Sequence, residues 1–185
     1  MIPLVEDDME SKNLTLRKTC FKDCEYFAAW ETSRDVTDYF SIGDDRTYEG
    51  IVRESILWET DPSKLQFTII LKETAAPVGR VYISRIDPDT DSLDITRIYI
   101  GDKKNRGKGY GEEAMRLLLE YSFTRLHAER VTLDHYTGND AAAALYLKLG
   151  FKYEGVARNA CRKNGKYYDL NLMSMIRAEY FENAR

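Results

Sequence analysis

A glycine-rich turn between a strand and a helix is the feature that most limits how this 185-residue chain can fold. An apolar strand pattern ends at Ile100, and apolar residues at helical spacing resume after the turn. Glycines occupy alternate positions within it: Gly107, Gly109 and Gly111. Because glycine has no Cβ, backbone N–H groups can converge there on an anion, and the positive end of the following helix favours negative charge. The turn therefore predicts a cradle for a pyrophosphate group.

Two basic side chains, Arg106 and Lys108, flank the first glycine and would add positive charge to this cradle. The spacing is not that of a P-loop, and the third glycine of the dinucleotide-binding pattern would fall where the chain has Glu112. Taken alone, the turn is equally compatible with a solvated basic turn that caps a helix and binds nothing. Features elsewhere in the sequence distinguish between these two alternatives.

Composition narrows the class of protein. The chain is 43% hydrophobic and 31% charged, as in ordinary globular proteins, and its net charge of −4 argues against general binding to nucleic acid or anionic membranes. No apolar run reaches the roughly 18 residues of a membrane span, and no signal-peptide pattern opens the chain. Three cysteines without a Cys-x-x-Cys pair suit a reducing compartment and give no zinc framework. We expect a cytoplasmic protein with no metal.

The order of periodic segments predicts a mixed α/β sheet with flanking helices. Strand patterns cover residues 14–17, 65–71, 78–83, 93–100 and 130–134, and a closing hairpin covers 151–160 and 167–176. Helical patterns cover 21–32, 39–58, 140–149 and the stretch that begins at 111. Turns are predicted at Ala76-Pro77, Asp87-Pro88 and Asn164-Gly165. We expect residues 1–13 to be a loose lead-in and residues 14–185 to form one domain.

The strand before the glycine turn carries a second signal. Its apolar alternation slips by one residue between Ile95 and Ile98, which predicts a β-bulge. A bulge leaves backbone groups unpaired, here directly before the cradle, so the strand and the turn together favour a binding site.

Two motifs resemble those of the GNAT N-acetyltransferases. Arg106, Gly109 and Gly111 match that family's Arg/Gln-x-x-Gly-x-Gly/Ala loop, which holds the pyrophosphate of coenzyme A. A second segment resembles the family's Asn-x-x-Ala-x-x-x-Tyr-x-x-x-Gly-Phe motif at Asn139, Ala142, Tyr146, Gly150 and Phe151. The likeness covers residues 14–180, includes the closing hairpin, and is nearest the branch of ribosomal-protein N-terminal and spermidine acetyltransferases.

The resemblance implies a mixed, mostly antiparallel central sheet in which the bulged strand and its parallel neighbour, residues 130–134, splay apart. Acetyl-CoA would lie in the gap, with its pantetheine paired to the backbone of Ile98, Tyr99 and Ile100. Asn139 would hydrogen-bond the pantetheine, although its alternative role is to cap the helix that follows. The pyrophosphate would contact the residues of the cradle: Arg106, Gly107, Lys108, Gly109, Tyr110 and Gly111.

The resemblance also implies catalytic roles. Tyr146 matches the family's general acid, which protonates the departing thiolate; its alternative role is packing between helix and sheet. Asp94, on the bulged strand, is our first candidate for the general base, and a surface position or a pair with Arg97 is its alternative. His135 is the second candidate, since its solution pKa suits the task. Many members of the family have no single essential base.

These observations predict an acetyl-CoA-dependent N-acetyltransferase that moves an acetyl group directly to a primary amine of a small molecule or peptide. An acidic groove would favour a polyamine, but the charges cannot be assigned to one face from the sequence. Two alternatives stay open: a coenzyme A-binding sensor without catalysis, and a phosphate-binding regulator. Many relatives pair through the closing hairpin or an edge strand, so a homodimer is a further hypothesis.

Overall fold

A computed structural model of the chain describes residues 7–38, 40 and 45–183. Its strands are β1 (Met9–Glu10), β2 (Leu14–Lys18), β3 (Leu65–Leu71), β4 (Ala76–Asp87), β5 (Ser92–Ile100), β6 (Arg130–Tyr136), β7 (Lys152–Lys163) and β8 (Lys166–Ile176). Its helices are α1 (Asp23–Glu31), α2 (Arg34–Thr37), α3 (Tyr48–Glu59), α4 (Tyr110–Glu120), α5 (Asp140–Leu149) and α6 (Arg177–Asn183). A 3₁₀ turn, Lys103–Asn105, precedes α4, and a π-helical turn, Tyr121–Arg125, extends it.

The strands form one eight-stranded sheet in the order β1-β2-β3-β4-β5-β6-β8-β7. Neighbouring strands are antiparallel except β5 and β6, which run parallel. The predicted fold class, a mixed and mostly antiparallel sheet with flanking helices, is confirmed. The predicted Asn-Gly hairpin turn is also present, with positive φ at Asn164 (49°) and Gly165 (79°) as a type I′ turn requires.

Helices cover both faces of the sheet, and the two faces differ in chemistry. On one face α4 and α5 pack on aliphatic and aromatic side chains of β2 to β6, including Leu118 against the sheet. On the other face α1, α2 and α3 surround a smaller apolar cluster that includes Phe27, Trp30 and Tyr99. Beside that cluster lie buried charged side chains, among them Arg80 and Glu31, each fully inaccessible.

The bulge predicted in the strand before the glycine turn is confirmed. Tyr82 of β4 lies opposite Arg97, whereas the next residue, Ile83, lies opposite Ile95, so Thr96 is the extra residue of β5. Its side chain is exposed, while those of Ile95 and Tyr99 are buried. Because the bulge adds one residue, the apolar alternation shifts at Thr96 while the strand stays continuous.

Two of the predicted boundaries differ in the structure. Pro77 lies inside β4, where the pairing shifts register at Ile70, and an irregularity of this kind tolerates a residue without an N–H. Within the described residues, α3 begins only at Tyr48, because the Thr47 side chain caps it by accepting from Gly50 N at 3.1 Å. Residues 39 and 41–44 of the predicted helix lie outside the described residues.

Within the described residues, the segment expected to be a loose lead-in makes contacts with the domain. Met9–Glu10 pairs with β2 as an edge strand. The Glu113 carboxylate of α4 then accepts hydrogen bonds from Ser11 Oγ at 2.6 Å and from Asn13 N at 2.7 Å. These bonds tie the segment to the helix that follows the glycine turn, a long-range contact that residue patterns do not reveal.

Candidate active site

A cleft opens where β5 and β6 part. The two strands pair only at Ser92–Arg130, Leu93–Val131 and Asp94–Thr132. Beyond Asp94, β5 continues to Ile100 with β4 on one side, and no described strand pairs with its other edge. Backbone N–H and C=O groups along that edge need partners, and an extended chain that carries amides is a suitable one.

The glycine turn lies at the end of this unpaired edge. Gly107 and Gly109 have left-handed backbone conformations, with φ of 74° and 84°, which favour glycine. A Cβ built on either residue, or on Gly111, would meet no atom within 4 Å, so the backbone of the turn faces open space. Gly109 is the N-cap residue of α4 and offers no side chain to cap the helix, so the first N–H groups of α4 remain for an anion.

Arg106 holds the turn in shape. Its Nε donates to the carbonyl of Ile100 at 2.9 Å, and its Nη2 donates to the carbonyl of Gly101 at 2.6 Å. Two of its guanidinium nitrogens therefore bind the chain's own backbone, and contact between Arg106 and a phosphate stays a prediction. Lys108 is exposed and is the cation better placed to reach an anion in the cradle.

Two carboxylates in the first turn of α4 would repel an anion if they faced the cradle. Glu112 instead binds Lys148 Nζ at 2.6 Å and Arg116 Nη2 at 2.9 Å, and these hydrogen bonds lower its pKa. Glu113 binds Ser11 and Asn13, as described above. Both negative charges are engaged away from the glycine backbone, so they need not oppose a bound phosphate.

Helix α1 fixes the beginning of the turn. The Trp30 ring lies against Gly101, where a Cβ would come within 2.1 Å of the ring, and Trp30 Nε1 donates to Asp102 at 3.2 Å. Tyr99 packs edge-on against Trp30 and donates its hydroxyl to Glu31 at 2.9 Å. The Tyr99 side chain is therefore structural, and only its backbone could meet a ligand. Ile98 and Ile100 likewise pack their side chains against the apolar core.

Tyr146 and His135 meet on the β6 side of the cleft. Their ring centroids are 5.9 Å apart, and both side chains are buried. Burial, and then the charge of Asp134, raise the pKa of Tyr146 to about 12, so its hydroxyl keeps its proton at neutral pH. No described residue hydrogen-bonds that hydroxyl. His135 Nδ1 lies 3.0 Å from the carbonyl of Tyr136 and must donate to it, which leaves Nε2 as a buried acceptor without a partner in the described part of the chain.

Asp94 lies at the last paired position before the strands part. Its carboxylate accepts from Thr96 Oγ1 at 2.7 Å and from Thr132 Oγ1 at 2.9 Å, and it does not pair with Arg97. Asp134 follows on β6, and loss of solvation within the fold, followed by the charge of Asp94, raises its pKa. The sequence analysis did not select Asp134; its position two residues after Thr132 on the splayed strand was the available signal.

Asn139 fulfils the capping role that was one of its two alternatives. Its Oδ1 accepts from Ala142 N at 3.2 Å at the N-terminus of α5. No described residue bonds its Nδ2, so the amide keeps a donor for a ligand. The two roles are therefore compatible in one side chain.

A cluster that we call the ionic layer lies between the sheet and the helices α1 and α3. It comprises Glu31, Arg46, Glu54, Arg80 and Arg97. Burial opposes ionisation of Glu31, but the charges of Arg97, Arg80 and Arg46 outweigh it and lower the pKa of Glu31 to about 2. The sequence analysis missed this cluster, although a charged residue such as Arg80 inside an apolar strand pattern was a usable signal.

A cavity of about 460 Å³ lies elsewhere on the same face, between α3 and the ends of β2 and β3. Trp58, Phe67 and Val52 contribute apolar walls to it. None of the predicted site residues lines it, so the cleft and not this cavity joins the two motifs.

Comparison with known proteins shows the family of the chain. The family model for the acetyltransferase (GNAT) domain matches residues 13–152. The chain belongs to the GNAT acetyltransferase family. It is therefore an N-acetyltransferase that uses acetyl-CoA, as predicted, and the open glycine turn beside an unpaired strand edge fits a long ligand with a pyrophosphate and amides. The roles of individual residues stay predictions.

Relatives of this acetyltransferase agree with that assignment. It is 28% identical over 178 residues to the N-acetyltransferase p20 of Bacillus licheniformis, covering 94% of this chain and 98% of the relative. Over 81 residues it is 30% identical to the spermidine N(1)-acetyltransferase of Vibrio cholerae, covering 44% of this chain and 47% of the relative. The crystal structure of a spermidine N-acetyltransferase from Vibrio cholerae in complex with CoA and spermine superposes with a TM-score of 0.84 at 23% identity, covering 92% and 99% of the two chains.

No helix among the described residues of this acetyltransferase is long and apolar enough to cross a membrane. Its described histidine, cysteine, aspartate and glutamate side chains form no group of three or more that could hold a metal ion.

Proposed function

We propose that this acetyltransferase transfers the acetyl group of acetyl-CoA directly to a primary amine of a small molecule or peptide, within the cleft between β5 and β6. The observation that carries the proposal is the continuity of two features: the unpaired edge of β5 runs directly into an open, glycine-lined helix N-terminus. One feature suits the amides of pantetheine and the other suits its pyrophosphate.

The proposed contacts with acetyl-CoA are assigned to hydrogen-bonding groups along the cleft and in the glycine turn. Backbone groups of Ile98, Tyr99 and Ile100 pair with pantetheine, and the Nδ2 of Asn139 donates to it from the opposite side of the cleft. N–H groups of residues 107–111, the positive end of α4 and Lys108 bind the pyrophosphate. Tyr110 contributes its backbone at the first position of α4, and Arg106 keeps the turn open by bonding its carbonyls.

The chemistry requires one new bond and one broken bond. The amine nitrogen attacks the thioester carbonyl carbon, the carbon–sulfur bond breaks, and the departing sulfur takes a proton. A backbone N–H near Ile98 would stabilise the carbonyl oxygen as its charge develops. Tyr146 would donate its hydroxyl proton to the sulfur, since its raised pKa keeps that proton in place at neutral pH.

The amine must also lose a proton before it attacks. Asp94 lies where the strands part and could accept that proton through water, although two threonine hydroxyls already bind it. The Nε2 of His135 is buried on the other side of the cleft and has no hydrogen-bond partner among the described residues. We retain Asp94 as the first candidate for the base and His135 as the second.

The test compares free-thiol release from acetyl-CoA, over a panel of amines and short peptides, between wild type and Tyr146→Phe. We expect Tyr146→Phe to lower kcat by about 100-fold or more while calorimetry shows unchanged coenzyme A affinity. The matched control is Tyr121→Phe, because Tyr121 is equally buried, has a pKa raised to about 12 by burial, and lies away from the cleft against Phe67. Wild-type kcat in Tyr146→Phe would remove Tyr146 from the mechanism.

We further propose that two copies pair through β7. This strand is an edge of the sheet, and it exposes Tyr153 (52% accessible) and Val156 (47%) beside Leu172 of β8. Unprotected edges with apolar side chains favour pairing with another chain. Light scattering should give twice the chain's 21.5 kDa for the wild type, and Val156→Lys should give the monomer mass.

A further inference from the structure

The ionic layer carries an excess of positive charge. Three guanidinium groups, those of Arg46, Arg80 and Arg97, share two carboxylates, those of Glu31 and Glu54. The chain as a whole has a net charge of −4, so this excess is local. A buried charge without a counter-ion is unfavourable, and an anion from outside the chain would neutralise it.

Arg97 is the member of the layer that has the weakest partners. Arg46 and Arg80 lie 2.6 Å and 2.7 Å from the Glu31 carboxylate, whereas Arg97 Nη1 lies 3.4 Å from it and 3.7 Å from Glu54. In the described part of the chain, Nε and Nη2 of Arg97 have no hydrogen-bond partner. The side chain is 12% exposed, so this edge of the guanidinium is reachable. Paired guanidinium N–H groups suit the two oxygens of a carboxylate.

Arg97 belongs to the part of β5 whose outer edge is unpaired, beside the cleft. Arg97 directly follows the bulge residue Thr96 and directly precedes Ile98, where the proposed contact with the thioester begins. The acidic pair Asp94 and Asp134 belongs to the same region, with Asp94 bonded to Thr96. Three residues along a strand correspond to roughly 10 Å or less, which is within the span of a small molecule that carries charges of both signs.

We propose that the acceptor of this acetyltransferase carries a carboxylate as well as its primary amine, as amino acids do. Arg97 binds the carboxylate, and Asp94 and Asp134 attract the ammonium end before it is deprotonated. This inference rests on the proposed function and narrows its acceptor. A polyamine has no group to neutralise Arg97; the spermine-bound neighbour, which is 23% identical, shows the fold alone.

The experiment uses acceptors in matched pairs: 4-aminobutyrate with 1,4-diaminobutane, and L-methionine with L-methioninamide. Free-thiol release gives kcat/KM for each. We expect the acid of each pair to be favoured by about 10-fold or more, and Arg97→Gln to lower kcat/KM for the acids by about 10- to 100-fold through KM. The diamine and the amide should change little. Arg53→Gln, an exposed cation of α3 outside the layer, should leave all four unchanged.

Preference for the diamine and the amide, or equal kcat/KM of wild type and Arg97→Gln for the acids, would overturn the inference. Absence of thiol release with every amine would instead contradict the proposed function. In that case the same acids are titrated by calorimetry into wild type and Arg97→Gln loaded with coenzyme A. Binding that Arg97→Gln abolishes would support the carboxylate site, and no binding to wild type would reject it.

Discussion

Beneath α4 the sheet presents aliphatic and aromatic side chains, whereas beneath α1 and α3 it presents the ionic layer. The centre of each layer is closed to water: Leu118 in the first and Glu31 and Arg80 in the second are fully inaccessible. The apolar layer is stabilised by hydrophobic burial and close packing, neither of which requires specific pairs of groups. The ionic layer is held by paired charges, each of which needs its partner to remain buried. Loss of one group should therefore have different consequences on the two faces.

The first prediction tests the ionic face. Glu31→Ala leaves Arg80 and Arg46 without their shared carboxylate, and Arg80 is fully buried. We expect the free energy of unfolding to fall by about 4 kcal/mol, because an unpaired charge remains inside the protein. Denaturant unfolding at pH 7 measures it. A loss below about 1 kcal/mol would mean that the layer does not hold α1 on the sheet.

The second prediction tests the apolar face. Leu118→Ala removes a fully buried side chain of α4, and we expect a loss of about 3 kcal/mol from burial and cavity terms. Because no charge is involved, the loss should be the same at pH 7 and pH 4. A loss that changed with pH would show that the two faces are coupled, and would contradict their independent response to the loss of one group.

The third prediction separates the faces by pH. The pKa of Glu31 is about 2, below the ordinary value of 4.5, so its contribution is fully present above pH 4.5 and declines as the pH falls toward 2. At pH 3 we expect a loss of about 2 kcal/mol relative to pH 7 from this group. Unfolding of wild type and Glu31→Gln at both pH values isolates it, since other carboxylates titrate in both proteins. Equal pH dependence would contradict the paired state of Glu31.

The apolar face could be anticipated from the sequence, and the ionic face could not. Period-2 and period-3.6 patterns depend on neighbouring residues, so β3 and α5 were predicted with their observed bounds, Leu65–Leu71 and Asp140–Leu149. The bulge at Thr96 was visible for the same reason, because it shifts the alternation of its own strand. The ionic layer joins residues 31, 46, 54, 80 and 97, which no local pattern connects.

In the candidate site, too, the features set by neighbouring residues could be predicted, and those that depend on distant contacts could not. The glycine turn was found by spacing, since a turn that exposes backbone needs particular residues at fixed intervals, and Asn139 was found through its match to a family motif. Spacing could not reveal which backbone groups these side chains bind: Arg106 Nε donates to a carbonyl of its own turn, and Asn139 Oδ1 accepts a hydrogen bond at the N-terminus of α5. Whether a donor can bind a ligand depends on its burial and on its hydrogen-bond partners. Both are known only from the folded structure.

The prediction with the smallest expected effect tests whether Arg97 of the ionic layer stabilises the fold. Arg97→Gln removes the excess cation and leaves two arginines for two glutamates, so we expect stability to change by less than about 1 kcal/mol. Arg80→Gln, in contrast, deprives Glu31 of its bond at 2.7 Å in a fully buried position, and should lose about as much as Glu31→Ala. Both are measured by denaturant unfolding. If Arg97→Gln were as damaging as Arg80→Gln, Arg97 would be a structural member of the layer; a nearly silent substitution would show that the layer is stable without this charge.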